Sequence, residues 1–187
     1  MQVVNIRNLH SNVNFYRIKR NMRKKRRKWV QRMRLKNILI VVEDIERSQK
    51  FYQDLFGLKT LTDLGGNMIL TEGLVLQEQR IWERLIQKNV VHGDGDAELY
   101  FEENNMDDFI KRLETYPEPV RYLNKLMEHD WGQRVVRIYD PDGHVIEVGE
   151  SMEFVAKRFY QAGMSLEEVS KKTQLPADQI KGICGAE

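Results

Sequence analysis

The chain has 187 residues, 41% of them hydrophobic and 31% charged, which suits one ordinary domain or two small ones with a packed core. A single cysteine, Cys184, excludes an intrachain disulfide framework and a CxxC metal site. No apolar run reaches the ~20 residues that span a bilayer, and no apolar stretch near the N-terminus reads as a secretory signal, so no membrane partner and a cytoplasmic location are expected.

The net charge of +2 hides an asymmetry. Residues 1–32 carry 11 Lys and Arg and no acid, whereas residues 33–187 carry 19 basic and 28 acidic residues. A basic arm therefore precedes an acidic body. The run Arg23-Lys24-Lys25-Arg26-Arg27-Lys28 is dense enough to bind phosphates by counterion release. It reads equally as a solvated, disordered tail. A third reading is a start-site artefact, because Lys and Arg have purine-only codons, like a ribosome-binding tract, and Met33 follows closely. The expected division is an arm over 1–32, a domain over 33–150 and a helical extension over 151–187.

In the body, Leu39–Val42 is a β-branched run that reads as a strand. Asp44 then offers an N-cap side chain, with Glu46 in the first turn and Ile45, Ser48, Phe51, Tyr52 and Leu55 at helical spacing. Gly57 supplies the C′ residue. Strands are expected at Leu58–Thr62, Asn67–Thr71 and Leu74–Glu78, the last two joined by the hairpin signal Glu72-Gly73. The order then repeats. Glu98–Phe101 is a strand, and Asn105 caps a helix with the apolar stripe Met106, Phe109, Ile110 and Leu113, closed by Pro117 and Pro119. Strands follow at Val120–Leu123, Gln133–Tyr139 and Val145–Val148, the last two joined by the turn Asp140-Pro141-Asp142-Gly143. A shift of about 61 residues superposes the two patterns, giving two βαβββ modules (about 34–92 and 96–150) that can close around a shared cleft.

The segment "ILIVVEDIERSQKFYQDLFGL" resembles the opening of a vicinal-oxygen-chelate protein of the glyoxalase, bleomycin-resistance and extradiol-dioxygenase superfamily. "WGQRVVRIYDPDGHVIEVGE" is similar to the closing signature, in which D-P-D-G precedes a Glu on the last strand. The resemblance covers about residues 34–150. It implies an α+β fold, a glyoxalase-like open barrel of two βαβββ modules. It further implies a divalent metal held by residues of the first and last strands of each module. Carried across residue by residue, those positions fall on Asn37, where a His is usual, Gln77, Glu98 and Glu147. Gln77, Glu98 and Glu147 are the expected metal ligands. Two carboxylates with amide oxygens suit Mg²⁺ or Mn²⁺ better than Ni²⁺ or Zn²⁺, and a site without metal is the alternative.

The resemblance also implies Glu147 as the catalytic acid or base, since its counterpart in glyoxalase-like members ligates metal and moves protons; if Glu98 and Glu147 approach each other, one pKa rises and suits that role. The competing reading is a Glu147 carboxylate neutralised by Arg137 or Arg134 on the neighbouring strand. Strand alternation aims Asn37 and Leu39, Val75 with Gln77, Tyr100 with Glu98, and Val145 with Glu147 at the cleft. The opposite set, Ile38, Ile40, Val42, Leu99, Phe101, Ile146 and Val148, should lie under the two helices. Asn37, Leu39 and Tyr100 are therefore expected substrate contacts, and Trp131, Gln133 and Arg137 would add an aromatic wall, an amide and a cation for an anionic substrate. His10, His92, His129 and His144 form no ligand spacing, and Ser48 has no base near it in sequence.

Beyond the resemblance, Met152, Val155, Ala156, Phe159 and Tyr160 mark one helix ending near Gly163. Ser165-Leu166-Glu167-Glu168 is a capping box that opens a second to about Lys172, and Leu175-Pro176 opens a third through Ile180. The last pair is similar to a helix-turn-helix, but Glu167, Glu168 and Asp178 deny it a basic face, so nucleic acid ranks last among partners. Two functions remain in view. One is a lyase, isomerase or dioxygenase acting on a small oxygen-rich substrate between the modules. The other is a metal-free protein that sequesters a small, antibiotic-like molecule. A homodimer is expected for either.

Overall fold

A computed structural model of the chain describes residues 33–93 and 95–185, and the basic arm lies outside them. The chain divides into a unit Met1–Ile38 and a unit Leu39–Glu187, each taken by itself. In the first, residues 33–37 have no regular structure.

Strand β1 (Ile38–Val42) leads into helix α1 (Ile45–Phe56). Asp44 caps α1 by accepting hydrogen bonds from the amides of Glu46 and Arg47, and Gly57 ends it in the left-handed region at φ 70°. Strands β2 (Thr60–Asp63), β3 (Asn67–Leu70) and β4 (Leu74–Glu78) complete the first module. Glu72 at φ 58° and Gly73 at φ 80° are both left-handed, and with Thr71 they make a three-residue connection between β3 and β4 where a two-residue hairpin was expected. Helix α2 (Gln79–Ile86) was not expected. Its start has no capping side chain and its end is Gln87 at φ 54° rather than a glycine, so it lacks both usual sequence marks.

The second module holds β5 (Glu98–Glu102), helix α3 (Met106–Thr115), β6 (Tyr122–Glu128), β7 (Arg134–Tyr139) and β8 (Val145–Gly149). Asn105 caps α3 through the amide of Asp108. Strand β6 starts later and runs further than the expected Val120–Leu123. It is an edge strand exposed over most of its length, and Asn124, Lys125 and Glu128 interrupt its apolar pattern.

The two sheets have strand orders β1-β4-β3-β2 and β5-β8-β7-β6, one permutation used twice, and they stay open. One hydrophobic core serves both modules. It joins Ile40, Val42, Leu70 and Leu76 to Val136, Ile138, Ile146 and Val148 through Phe51, Tyr52 and Leu55 of α1 and Met106, Phe109 and Leu113 of α3. The Phe56 ring lies 4.5 Å from Phe101 and 5.9 Å from Phe109. The residues expected beneath the helices are there, except Ile38, which is 52% exposed.

The turn Asp140–Gly143 also fastens the modules together. The Asp142 carboxylate is closed to solvent and accepts from the Glu43 amide (3.0 Å), the Arg47 guanidinium (2.7 Å) and the Ser48 hydroxyl (2.9 Å). Ser48, a residue without an evident partner in sequence, is thus a buried donor to the other module. Asp140, 1% exposed, accepts from the buried Tyr52 hydroxyl at 2.8 Å and meets His144 Nδ1 at 2.8 Å. Burial disfavours the charged form of each partner. The hydrogen bond and charge between them outweigh that, so His144 is held above its ordinary pKa and Asp140 below.

Linkage then sets the sign. The Asp140 contribution is present above the ordinary carboxylate range and lost as pH falls through its lowered pKa. The His144 contribution is present below about pH 6.5 and lost as pH rises through its raised pKa. Urea midpoints measured from pH 5 to pH 9 should therefore decline across the upper part of that range. The decline should be shallower in His144→Gln, and identical profiles for the two proteins would refute the coupling.

Three helices follow β8: α4 (Met152–Gln161), α5 (Leu166–Thr173) and α6 (Ala177–Cys184). Both halves of the Ser165–Glu168 capping box form. The three enclose a small core of Ala156, Val169 and Ile180, edged by Phe159, Tyr160, Met164 and Leu166. Among the described residues no helix is long and apolar enough to cross a membrane.

Candidate functional site

The β7–β8 hairpin places Arg137 opposite Glu147, and the parallel β5–β8 pairing places Tyr100 beside Glu147. These three side chains stand in a row across one face of the second sheet. Arg137 and Glu147 form an ion pair, and Arg137 Nε also lies 3.8 Å from the Glu98 carboxylate. Glu147 is buried, Arg137 half-buried, and Glu98 exposed.

The row continues upward. Gln133 Nε2 donates to the Tyr100 hydroxyl at 3.0 Å and to the Glu150 carbonyl at 2.8 Å, while its Oε1 accepts from Trp131 Nε1 at 3.0 Å. The His129 ring stacks on Trp131 at 4.2 Å. Gly149 leaves room for this chain. A Cβ there would sit 3.1 Å from Gln133 Nε2 and 3.3 Å from the Tyr100 hydroxyl. The Tyr100 phenol is raised above its ordinary pKa by burial first, then by the negative charges of Glu102 and Glu147. The face is therefore aromatic and electronegative, with one guanidinium among three carboxylates.

Of the expected residues, Glu98, Tyr100, Trp131, Gln133, Arg137 and Glu147 thus form one connected array. Gln77 has its contacts elsewhere. It is 3% exposed, its Oε1 accepts from Asn67 Nδ2 at 2.7 Å, and its Nε2 donates to the Gly66 carbonyl at 2.8 Å, all within the first module. Leu39 is 38% exposed on β1. Asn37 is half-buried in the first unit, just before β1. A cavity of about 630 Å³ lined by His92, Arg121, Leu123 and Tyr139, and another of about 290 Å³ lined by Arg47, Tyr116, Arg121 and Pro141, include none of the expected site residues.

These donors do not fit a divalent cation. The Glu147 carboxylate already holds a guanidinium, which also approaches Glu98, and the Gln77 amide is engaged at both ends. Among the described residues no group of three or more His, Cys, Asp or Glu is arranged to hold a metal ion. The histidines serve other partners: His144 meets Asp140, and His92 Nε2 meets Gln79 Oε1 at 3.0 Å. Two contributors were missed in the sequence, Gly149 and Glu102. Only the position of Glu102, two residues beyond Tyr100 on β5, could have suggested it.

Two open sheets of this repeated order, with paired helices sharing one core, define a vicinal-oxygen-chelate fold. The family model for the glyoxalase-like domain matches residues 35–153, and the chain belongs to that family. Among solved structures it is similar to a protein of unknown function from Agrobacterium tumefaciens, with 37% identity, a TM-score of 0.56, and 64% of this chain and 94% of that one covered. It is also similar to a lactoylglutathione lyase from Agrobacterium tumefaciens (25% identity, TM-score 0.51, 63% and 93% covered). A glyoxalase-related enzyme from Fulvimarina pelagi shares the fold at 18% identity (TM-score 0.55, 64% and 88% covered). No curated protein matches the chain.

Proposed function

We propose that this chain is a glyoxalase-like protein that binds a small organic cation without a metal, sequestering it against the Tyr100 face of the second sheet. The observation that carries this reading is the Arg137 guanidinium paired with Glu147 and close to Glu98. It supplies internally the positive charge that a divalent ion would bring. It also argues against Glu147 as the catalytic base, since the carboxylate would first have to leave its guanidinium. Lyase, isomerase or dioxygenase chemistry through a metal has no matching donor set among the described residues. Glu98, Glu102 and Glu147 against the single Arg137 leave a net negative face, and Tyr100 and Trp131 offer ring surfaces to a flat cation. A homodimer belongs to the same reading, with the exposed Leu123, Leu126 and Met127 of edge strand β6 as the expected contact; sedimentation velocity would test it.

The binding test uses two flat dyes of opposite charge. Acridine orange, an aromatic cation, should bind the full chain at least about tenfold more tightly than fluorescein, an aromatic anion. Its affinity should fall in Glu98→Gln and be unchanged by EDTA. Equal affinity for the two dyes, or binding that requires an added divalent ion, would overturn the reading.

A further inference from the structure

Helices α4 to α6 lie almost wholly beyond the family match, which ends at residue 153. Their attachment to the body runs through the loop that carries the upper end of the site. That loop is closed on itself: the His129 amide donates to the Gln133 carbonyl at 2.9 Å and the Gly132 amide to the His129 carbonyl at 2.8 Å. Arg158 of α4 donates to the Gly132 carbonyl at 2.5 Å, lies 3.1 Å from the fully buried Glu150 carboxylate, and reaches Glu128 at 3.6 Å. The neighbouring ring of Phe159 lies over the loop. A Cβ at position 132 would overlap it, and φ there is +88°, so the close approach and the backbone both require glycine.

We propose that the C-terminal helices are part of the ligand site. Arg158 and Phe159 are positioning residues that clamp the 129–133 loop and, through Gln133, fix the Tyr100 phenol. Every link is a hydrogen bond or ring contact between consecutive partners. Arg158 holds Gly132, the loop presents Trp131 and Gln133, and Gln133 spans Tyr100 and the Glu150 carbonyl. Glu150 closes the circuit, since its carboxylate also receives the Arg134 amide at 3.1 Å and the Arg134 Nε at 2.7 Å, tying α4 to β7. The extension thereby fastens the Trp131 loop of the second module through Arg158 and Phe159. This inference rests on the Tyr100 face being the binding face.

The test uses the full chain, with acridine orange as the probe and hydrogen exchange as a reading that needs no ligand. In Phe159→Ala and Arg158→Met, exchange at the His129 and Gly132 amides should accelerate roughly tenfold or more, while the Val136 and Val148 amides of the core keep their protection. Dye affinity should fall in the same variants although the core is intact, which a role confined to stability would not produce. Gly132→Ala provides a second route that spares the Arg158–Glu150 pair if Arg158→Met fails to fold. It should loosen the loop and weaken the dye, and its effect should shrink in a Phe159→Ala background. Loop exchange and dye affinity both unchanged would overturn the proposal, as would faster loop exchange with undiminished dye binding. If the wild-type chain does not bind the dye at all, the proposed function fails, while loop exchange still reads whether the clamp exists.

Discussion

Asp142→Ala should lower the unfolding free energy by about 2–4 kcal/mol, seen as a lower urea midpoint at unchanged slope. The carboxylate is shut off from water and satisfies three donors of the other module, the Glu43 amide, the Arg47 guanidinium and the Ser48 hydroxyl. Truncation strands Ser48, which is fully buried, and removes the charge partner of a half-exposed arginine. It also cuts a tie between residues 94 to 99 positions apart, so the loss falls on the association of the modules. Asp142→Asn keeps the shape and part of the hydrogen bonding and should cost less. A shift below about 0.5 kcal/mol for Asp142→Ala would place the turn among ordinary surface sites and show that it does not clasp the modules.

Arg137→Leu should destabilise by about 2–3 kcal/mol, because it leaves a buried Glu147 carboxylate without its cation. The loss is smaller than for a fully enclosed pair, since the arginine side chain keeps 23% of its exposure. Arg137→Leu combined with Glu147→Leu should recover most of the loss, as apolar replacement of both partners removes the stranded charge. The coupling in that double-mutant cycle is the informative quantity. Additive losses would mean that the two side chains are neighbours without an energetic bond.

Local chemistry made much of this fold legible. Asp44 and Gly57 bound α1 at both ends, and Glu72-Gly73 marks the turn between β3 and β4, which Thr71 widens to three residues. The Arg137–Glu147 pair was open to anticipation because a hairpin turn at Asp140–Gly143 makes those two positions face one another. Helix α2 escaped because it begins directly from a strand with no capping residue and ends on a left-handed glutamine. The partners of Asp142 and the grip of Arg158 on Gly132 escaped for a different reason. Each joins segments whose proximity is decided by packing of the modules and helices, and no periodicity in the chain records it. Gln77 shows the limit of carrying a residue across from a family pattern: the position is occupied by a ligand-capable amide, yet Asn67 and Gly66 absorb it.

Titrating the metal-stripped full chain with Mn²⁺, Ni²⁺ and Zn²⁺, while following heat and melting temperature, tests whether the Arg137 guanidinium takes the place of a divalent ion beside Glu147. No stoichiometric binding is expected at the Glu98–Glu147 face, and neither metal nor chelator should move the melting temperature. Tight one-to-one binding with a raised melting temperature, worth about 2.7 kcal/mol at a hundredfold excess over Kd and lost in Glu147→Gln, would contradict it.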